Sequence, residues 1–405
     1  MNKRLDLLHP YPFERLNELL RGVSPASNYN FIPLSMGEPQ HKTPDFLIDF
    51  FCDEKTVRDG LGAYPPTRGI PELRSAIADF INQRFQLTSN PINAENQVLP
   101  VSGTREALFS IAQTIIDPGK ESTTLLPNPF YQIYEGAALL AGSQPEYVPC
   151  TQKTNYLPDF DQVDESTWQK CQLLYICTPG NPTGAVMSNA DLQYLIRMSD
   201  KYDFVIASDE CYSEIYADEA KPPTGLLQAA HDMGRADYKN CMSFNSLSKR
   251  SNLPGLRSGY VAGDAEMLDK YLLYRTYHGA AMPIHNQNLS SIAWADENHV
   301  KDNRQLYREK FSAVMDILGP VWEMEIPPAS FYLWPETPID DREFTRKLIQ
   351  HTNIKVVPGS FLSREVRNLN PGRNRIRMAL VASLDECVDA AGRLKSFIQG
   401  SQYSG

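Results

Sequence analysis

The sequence predicts an α/β fold, with a mostly parallel central sheet in a large domain and a smaller α+β domain after it. From about residue 95, short apolar runs alternate with helical stretches. Runs that are apolar on both faces are typical of parallel strands covered by helices on both sides. From about residue 290 longer amphipathic helices dominate, and 405 residues with 42% hydrophobic content suffice for two domains.

Composition narrows the class of function. The formal net charge of −10 disfavours a protein that binds nucleic acid or acidic membranes, and favours small-molecule chemistry. The seven cysteines are dispersed, without a Cys-x-x-Cys pair or a metal-ligand spacing to histidines. No apolar run approaches the length of a membrane span. We therefore expect a soluble, cytoplasmic protein with reduced thiols and no metal site.

The first part of the chain is Pro-rich and is expected to pack with the small domain. A helical stripe over Pro12–Arg21 leads to Gly37, which either lets backbone approach a ligand closely or forms an ordinary turn. We divide the chain into a segment 1–44 that packs with the small domain, a large domain 45–290 and a small domain 291–405. Tyr64 and Arg68 lie on a rigid Pro-rich stretch before a helix, as surface residues or as site residues.

Six apolar runs are predicted to be strands of the parallel sheet: Val98–Val101, Thr123–Leu126, Leu173–Cys177, Phe204–Ala207, Met242–Phe244 and Tyr260–Ala262. Helices are predicted between several of them, at Arg105–Ile116, Tyr131–Leu140 and Ala190–Lys201. Ligands of such sheets bind beyond the carboxyl ends of the strands. The polar motifs of the sequence fall at those ends.

Three of these strand ends carry candidate ligand contacts. Gly103-Thr104-Arg105 opens a helix, whose free N–H groups either favour an anion or are simply capped. Asn181 lies in a loop of turn-forming residues that would hold its side chain rigidly. Phe130 and Tyr131 follow another strand, and one of these rings could stack on a planar ligand.

An acid and a possible phosphate cup follow two further strands. Asp209 ends the most apolar run, so its carboxylate needs a partner such as a protonated ring nitrogen, and Tyr212 could reach the same ligand. Ser246 and Ser248 would share one side of an extended chain, although the following Pro-Gly pair indicates that the strand ends nearby. With Lys249, and with Arg257 folded back, these hydroxyls would form a phosphate site beside an amine.

The last third is predicted to combine amphipathic helices, in the Ile292–Phe311 region and at Asp341–Gln350, with short strands. Arg375 and Arg377 are two residues apart, so both would lie on one strand face and at least one could bind a carboxylate in a cleft. The sequence contains neither a P-loop nor a Gly-x-Gly-x-x-Gly motif, which argues against the two commonest nucleotide-binding classes.

Four motifs in order, Asn181-Pro-x-Gly, Asp209-x-x-Tyr212, Ser246-x-Ser248-Lys249 and Arg257, resemble the class I/II aminotransferases of fold type I, which use pyridoxal phosphate. The resemblance implies that Lys249 binds the cofactor covalently and moves the substrate's Cα proton. It also implies that Asp209 pairs with the pyridine nitrogen, while Asn181 and Tyr212 bond to the ring hydroxyl.

The same resemblance assigns the remaining contacts. The cofactor phosphate would be held by Ser246, Ser248, Arg257, the Gly103-Thr104-Arg105 turn and, in a homodimer, Tyr64 of a second subunit. Arg105 departs from the small residue common in relatives, so its backbone rather than its side chain is assigned. Tyr131, with Phe130 as the alternative, would stack on the ring. Arg377 would bind the substrate α-carboxylate with help from Gly37, and Arg375 is the second candidate.

Within the family, the stretches 8–16, 128–136 and 245–252 are similar to bacterial succinyldiaminopimelate aminotransferases. That likeness implies ping-pong amino transfer between glutamate/2-oxoglutarate and N-succinyl-2-amino-6-oxopimelate, in lysine biosynthesis. The distant carboxylates of that substrate need cations, for which Arg68, Arg250 and Arg275 are candidates unless they are solvated surface charges.

Other functions remain open on the same motifs. The chain could be another class I/II aminotransferase of aromatic, aspartate or methionine type, or a pyridoxal-phosphate β-lyase or ring-closing lyase. A regulator that only binds the cofactor is disfavoured, because no helix-turn-helix extension or basic arm is present.

Overall fold

A computed structural model describes residues 1–400. The strands are β1 (Ile32–Pro33), β2 (Val98–Val101), β3 (Thr123–Asn128), β4 (Gln144–Pro149), β5 (Cys171–Cys177), β6 (Val205–Asp209), β7 (Cys241–Ser246), β8 (Gly259–Gly263), β9 (Tyr332–Leu333), β10 (Ile354–Lys355), β11 (Val357–Pro358) and β12 (Ile376–Ala379).

The α-helices are α1 (Pro12–Leu19), α2 (Asp45–Phe51), α3 (Glu54–Leu61), α4 (Pro71–Arg84), α5 (Thr104–Ile115), α6 (Ile133–Ala141), α7 (Glu165–Lys170), α8 (Asn189–Tyr202), α9 (Leu226–Asp232), α10 (Leu247–Arg250), α11 (Ala265–His278), α12 (Ile284–Ala295), α13 (Asn298–Leu318), α14 (Asp341–Thr352) and α15 (Leu384–Gln399). Short 3₁₀ helices are Lys3–Leu7, Gln152–Thr154, Phe160–Gln162, Pro254–Leu256 and Gly359–Phe361.

The central sheet has seven strands in the order β2-β8-β7-β6-β5-β3-β4 and includes all six predicted strands. Strands β7, β6, β5, β3 and β4 run parallel to one another, whereas β8 is antiparallel to both of its neighbours, β7 and β2. The connection from β7 to β8 holds only α10 and one 3₁₀ turn. It is too short for the helical crossover that joins parallel strands. The predicted α/β fold with a mostly parallel sheet is confirmed.

Strand β4 was not among the predicted strands. It lies at the edge of the sheet, and its burial alternates between exposed and buried residues. Pro145 and Pro149 stand within it. Proline cannot donate to a ladder and is tolerated mainly in edge strands, so the sequence pattern of β4 reads as a loop.

Apolar cores cover both faces of the central sheet. In β5, Leu174 and Ile176 belong to one core, which includes residues of α4, α8 and α9. The alternate residues Leu173 and Tyr175 belong to the other, which includes residues of α5, α6 and α11. Burying one such side chain contributes roughly 1.5–3 kcal/mol. The sheet is therefore a rigid base for the loops at its carboxyl edge.

The last third of the chain forms its own sheet and core. Strands β11, β12 and β9 form an antiparallel sheet, which packs with α13, α14 and α15 around a third apolar cluster. The N-terminal segment contacts this region at several points. Strand β1 pairs in parallel with β10, and Leu16 of α1 packs in a cluster with Trp334 and Val357.

The structure bears on two boundaries that the sequence predicts, those of a helix and of a domain. The predicted helix around Ile292–Phe311 is two helices, because α12 ends at Ala295 and the Asp296 carboxylate accepts the His299 N–H near the start of α13. The boundary predicted at residue 290/291 falls within α12. The division into segment 1–44 and domains 45–290 and 291–405 stays a prediction, and residues 401–405 lie outside the described chain.

None of the helices within residues 1–400 combines the length and the apolar character that crossing a bilayer requires.

Candidate active site

The proposed acid lies at the carboxyl end of the central sheet. Asp209 is the last residue of β6 and is 5% exposed. The Tyr134 hydroxyl donates to its Oδ2 at 2.6 Å, and the Cys211 backbone N–H donates to its Oδ1 at 3.3 Å. Burial raises the pKa of Asp209, while these bonds and the charge of Lys249 oppose the rise. Asp209 thus has two neutral donors and, within residues 1–400, no cation within ion-pair distance.

The candidate nucleophile follows the neighbouring strand. Strand β7 ends at Ser246, so Ser248 and Lys249 lie in the short helix α10, and the extended geometry considered for the two serines does not apply. The Lys249 ammonium donates to the Gly37 carbonyl at 2.8 Å. Burial, with the nearby charges of Arg377 and Arg257, lowers the pKa of Lys249 to about 8. A larger share of neutral amine makes it a better nucleophile and base.

The expected phosphate turn and Arg257 are in contact. Gly103 has φ of 85°, and a Cβ at this position would lie 2.3 Å from Nη2 of Arg257. Only glycine therefore lets the guanidinium lie against this turn. Arg257 donates to the carbonyl oxygens of Pro254 at 2.9 Å and Ser102 at 3.4 Å. Its charge faces the N-terminus of α5, where an anion is favoured.

Hydroxyls complete this corner of the site. Thr104 Oγ1 lies 3.1 Å from Cys211 Sγ, which lies 3.8 Å from Ser246 Oγ. Cys211 therefore joins the turn before α5 to the end of β7. Ser248 is 8% exposed and lies in α10 immediately before Lys249. Thr104 and Ser246 therefore lie close together, on either side of Cys211, and the Arg257 guanidinium packs against Gly103.

Arg377 occupies the interior of the site. It lies in β12, is 5% exposed, and donates to Ser35 O at 2.9 Å and to Asn181 Oδ1 at 3.1 Å. Its guanidinium carbon is 4.6 Å from the ring centroid of Tyr332. None of the ion pairs found within residues 1–400 involves Arg377. A buried guanidinium with neutral partners only is suited to an anionic ligand.

Arg375, the second candidate, is directed elsewhere. It precedes β12, donates to Trp334 O at 3.1 Å, and lies 3.5 Å from a carboxylate oxygen of Glu336. Its guanidinium carbon is 5.1 Å from the Tyr156 ring centroid. Arg375 is thus paired with Glu336, and its contacts are with residues other than those of the candidate site.

Tyr212 and Gly37 meet at one aromatic side chain. The hydroxyls of Tyr212 and Tyr332 are 3.0 Å apart, and burial, followed by the Tyr332 hydroxyl, raises the pKa of Tyr212 well above its usual range. Tyr212 therefore stays protonated and can donate a hydrogen bond. A Cβ on Gly37 would lie 2.0 Å from the Tyr332 hydroxyl oxygen, so only glycine fits there.

The structure distinguishes the two aromatic candidates. Phe130 is 1% exposed and packs against Tyr147 at 5.5 Å, within one of the two cores of the central sheet. Tyr131 is partly buried, meets Tyr134 edge-on at 5.7 Å, and accepts a hydrogen bond from Arg105 Nε at 2.7 Å. Since Tyr134 holds Asp209, Tyr131 is the ring on the side of the site.

Of the remaining candidates, two are buried and two are partly or fully exposed. Arg250 and Arg275 are fully buried and paired with Glu297 and Glu106, so the expectation of solvated or cleft-facing charges is wrong for both. Their partners lie 47 and 169 residues away, respectively, and no sequence spacing indicates them. Arg68 is partly exposed and donates to the Glu95 carbonyl. Tyr64 is fully exposed in the single chain and is not gathered with the other residues.

Two tyrosines at the site were not assigned a role from the sequence. Tyr134 stacks on Tyr175 at 4.7 Å, and its hydroxyl donates to Asp209; its sequence signal was the third aromatic of the stretch, after Phe130 and Tyr131. Tyr332 packs between Tyr212 and Arg377, and its only signal was an aromatic run near the end of the chain.

The residues present fit pyridoxal phosphate. Asp209 lacks a cation for its carboxylate, Lys249 has a lowered pKa, and the Gly103–Arg257 contact leaves a cation beside a helix N-terminus. A protonated ring nitrogen, an aldehyde and a phosphate are the complementary groups.

Fold and site together define an enzyme of the pyridoxal-phosphate type. The chain belongs to the class I and II aminotransferase family, whose model matches residues 29–391. Enzymes of this family depend on pyridoxal phosphate, so the predicted family and cofactor are confirmed.

Known proteins similar to the chain cover nearly its whole length. The structure of an aminotransferase from Neisseria meningitidis is 46% identical, with a TM-score of 0.93 over 98% of this chain and 100% of that one. Aminotransferase AspB from Helicobacter pylori is 32% identical, with a TM-score of 0.88 over 97% and 99% of the two chains. An LL-diaminopimelate aminotransferase from Maridesulfovibrio salexigens is 28% identical over 396 residues, covering 96% and 97% of the two chains.

Proposed function

We propose that this aminotransferase moves an amino group between glutamate/2-oxoglutarate and N-succinyl-2-amino-6-oxopimelate, in the cytoplasmic synthesis of diaminopimelate and lysine. The main support for amino transfer is the Lys249 amine. It donates a hydrogen bond to the Gly37 carbonyl and lies near the guanidinium of Arg377, which has no carboxylate partner in the described chain. The substrate choice is supported by the motif likeness in three stretches of the sequence. Relatives named for diaminopimelate support the same carbon skeleton.

Each part of the cofactor has candidate partners in this proposal. Asp209 would hold the pyridine nitrogen, Tyr131 would cover the ring, and Asn181 and Tyr212 would bond to the ring hydroxyl. The phosphate would be held by Ser246, Ser248, Arg257 and the Gly103-Thr104-Arg105 turn. When bound, the cofactor supplies an electron sink that stabilises negative charge at the substrate Cα.

The chain's own groups supply the proton chemistry and the orientation. Lys249 accepts the substrate's Cα proton and returns it, which a pKa of about 8 permits near neutral pH. Arg377 binds the α-carboxylate with its guanidinium fork and so fixes the Cα–H bond relative to Lys249. Tyr212 remains a donor because burial keeps its hydroxyl protonated.

We propose that the enzyme works as a homodimer in which Tyr64 reaches the phosphate of the other subunit. Tyr64 is fully exposed in the chain, as are large parts of Leu61 and Tyr277. Such apolar exposure is typical of association surfaces. Sedimentation should give twice the chain mass, and Tyr64→Phe should weaken cofactor retention; a monomer with full activity would contradict this assembly.

The substrate proposal is tested by separate half-reactions. Purified holoenzyme is mixed with N-succinyl-LL-diaminopimelate, LL-diaminopimelate or glutamate, and the cofactor's absorbance is followed from its pyridoxal to its pyridoxamine form. We expect rapid conversion with glutamate and with the succinylated compound, and slow conversion with the free one. Lys249→Ala is the control that should convert with none of them.

A second candidate is transamination of unmodified LL-diaminopimelate, which the names of several relatives favour. Rapid conversion with the free compound alone would select it. Conversion with glutamate alone would select another class I/II aminotransferase. Release of ammonia and pyruvate from a β-substituted amino acid would select the lyase alternative.

A further inference from the structure

An exposed arginine at the site lacks a carboxylate partner. Arg105, the second residue of α5, donates through Nε to the Tyr131 hydroxyl at 2.7 Å and through Nη2 to the Tyr11 hydroxyl at 3.4 Å. Its guanidinium carbon is 5.9 Å from the centroids of both rings. None of the ion pairs found in the described chain, residues 1–400, includes Arg105.

The two phenols orient this guanidinium without neutralising it. A guanidinium has five N–H donors, and the two phenol contacts leave the others of Arg105 for a ligand. Tyr11 is the N-cap residue of α1, and Tyr131 lies just before α6. The backbone of both tyrosines is therefore held in place at the start of a helix. The side chain is therefore held in place, exposed and still charged.

Arg105 also lies on the substrate side of the site. Its partner Tyr131 is the ring that faces Tyr134 and Asp209. Its other partner, Tyr11, is close enough to Tyr332 to add to the rise in pKa that burial gives that residue, and Tyr332 packs on Arg377. The exposed guanidinium of Arg105 and the buried one of Arg377 thus both lie beside aromatic side chains of the candidate site.

We propose that the side chain of Arg105, held by Tyr11 and Tyr131, binds a substrate carboxylate remote from the reacting carbon and so selects long dicarboxylic substrates. This inference rests on the proposed function, whose substrate carries carboxylates at both ends of a seven-carbon chain. Arg377 takes the carboxylate beside the reacting carbon, and Arg105 takes a distant one. The guanidinium fork suits a carboxylate geometrically as well as electrostatically.

The test compares two unreactive ligands that differ only in the distant carboxylate. Heptanoate and pimelate have the same seven-carbon chain, with one and two carboxylates. Their binding to holoenzyme is measured by calorimetry for the wild type, Arg105→Gln, Arg105→Lys and Arg68→Gln, the last being the other exposed candidate. We expect the wild type to prefer pimelate by about 10- to 100-fold, the range for a hydrogen-bonded charge pair.

Arg105→Gln should remove that preference by weakening pimelate alone, and Arg105→Lys should restore part of it. Arg68→Gln should keep it in full. The proposal is overturned if Arg105→Gln retains the preference, if Arg68→Gln loses it instead, if the wild type does not distinguish the two ligands, or if Arg105→Gln weakens cofactor binding while both ligands bind as before.

The outcome is separable from that of the proposed function. A wild-type enzyme that converts with N-succinyl-LL-diaminopimelate, while Arg105→Gln still prefers pimelate, contradicts the role of Arg105 alone. An enzyme that does not convert with that compound, yet loses its pimelate preference in Arg105→Gln, contradicts the substrate alone. In that second case Arg105 selects another long dicarboxylic amino acid.

Discussion

Buried charged side chains in the scaffold, meaning the chain outside the candidate site, have different partners from those in the site. In the scaffold, Arg250 pairs with Glu297, Arg275 with Glu106 at 2.8 Å, and Arg393 with Asp389. Each of these arginines also donates to backbone carbonyls. The chain thus supplies both the opposite charge and the hydrogen bonds that a buried guanidinium needs.

In the site, buried or half-buried charges have neutral partners only. Arg377 donates to a carbonyl and an amide oxygen, Lys249 to a carbonyl, and Asp209 accepts from a hydroxyl and a backbone N–H. Desolvating a charge without an opposite charge is costly. The difference therefore indicates which charges complete the fold and which are kept for ligands, and it predicts that substitutions in the two groups have opposite effects.

The strongest way to break this comparison is Lys249→Ala. Turnover should fall by about 10⁴-fold or more, because the nucleophile and the proton carrier are lost together. The folded protein should still hold the cofactor by its phosphate, since Arg257 and the turn before α5 are untouched. Steady-state rates and the protein-bound cofactor absorbance measure the two effects. Full turnover in this variant would show that Lys249 is not the catalytic lysine.

Asp209→Ala tests the unpaired acid. We expect the rate of Cα proton abstraction to fall by about 10²- to 10³-fold, the size of losing one preorganised electrostatic group. Cofactor affinity should change much less. Single-turnover rates with α-deuterated and ordinary glutamate measure the proton step directly. Tyr134→Phe, which removes only the 2.6 Å bond to Asp209, is the matched control with a smaller loss. A normal rate in Asp209→Ala would mean that it serves no ring nitrogen.

The sequence gives clearer local signals for the candidate site residues than for the buried ion pairs outside the site. Asp209 ends strand β6, and Lys249 and Arg257 follow strand β7 on either side of a Pro-Gly pair, which are local signals. Arg250 and Arg275 were expected to be open charges, because their carboxylate partners are brought in by the fold and no local spacing indicates them.

The fold follows the same rule. Central strands such as β5 and β6 are apolar over most of their length, and the sequence places their ends within two residues. The edge strand β4 was missed because its residues alternate and include prolines. Arg375 and Arg377 were equivalent by spacing, and only the start of β12 at Ile376 and the position of Glu336 distinguish them.

The matched pair Arg377→Gln and Arg393→Gln sharpens the comparison, since both arginines are nearly buried, at 5% and 8% exposure. Arg377→Gln should raise KM for amino acids by about 10- to 100-fold, because a charge-assisted bond to the α-carboxylate is lost. Its stability should hold or rise. Arg393→Gln should cost about 1–3 kcal/mol of unfolding free energy and leave KM unchanged, because it removes donors from the carbonyls of Asn30 and Thr352.

Urea unfolding and amino-acid half-reactions on both variants provide the measurements. The comparison fails if Arg393→Gln raises KM as much as Arg377→Gln does. It also fails if Arg377→Gln is the less stable of the two, because its charge would then be serving the fold.

The smallest expected effect concerns the pH dependence of stability in the cofactor-free protein. Burial lowers the pKa of Lys249 from 10.5 to about 8, so the native state binds fewer protons than the unfolded state between these values. The free energy of unfolding therefore rises with pH through this window, and the cost of burying the charged amine is complete below it.

Lys249→Met removes this cost and should be more stable than the wild type at pH 7 by about 1–3 kcal/mol. The advantage should shrink between pH 8 and 10.5. Lys301→Met, at an exposed lysine of α13, corrects for the loss of one charge. An advantage that stays constant from pH 7 to 10 would mean that the fold already compensates the charge of Lys249.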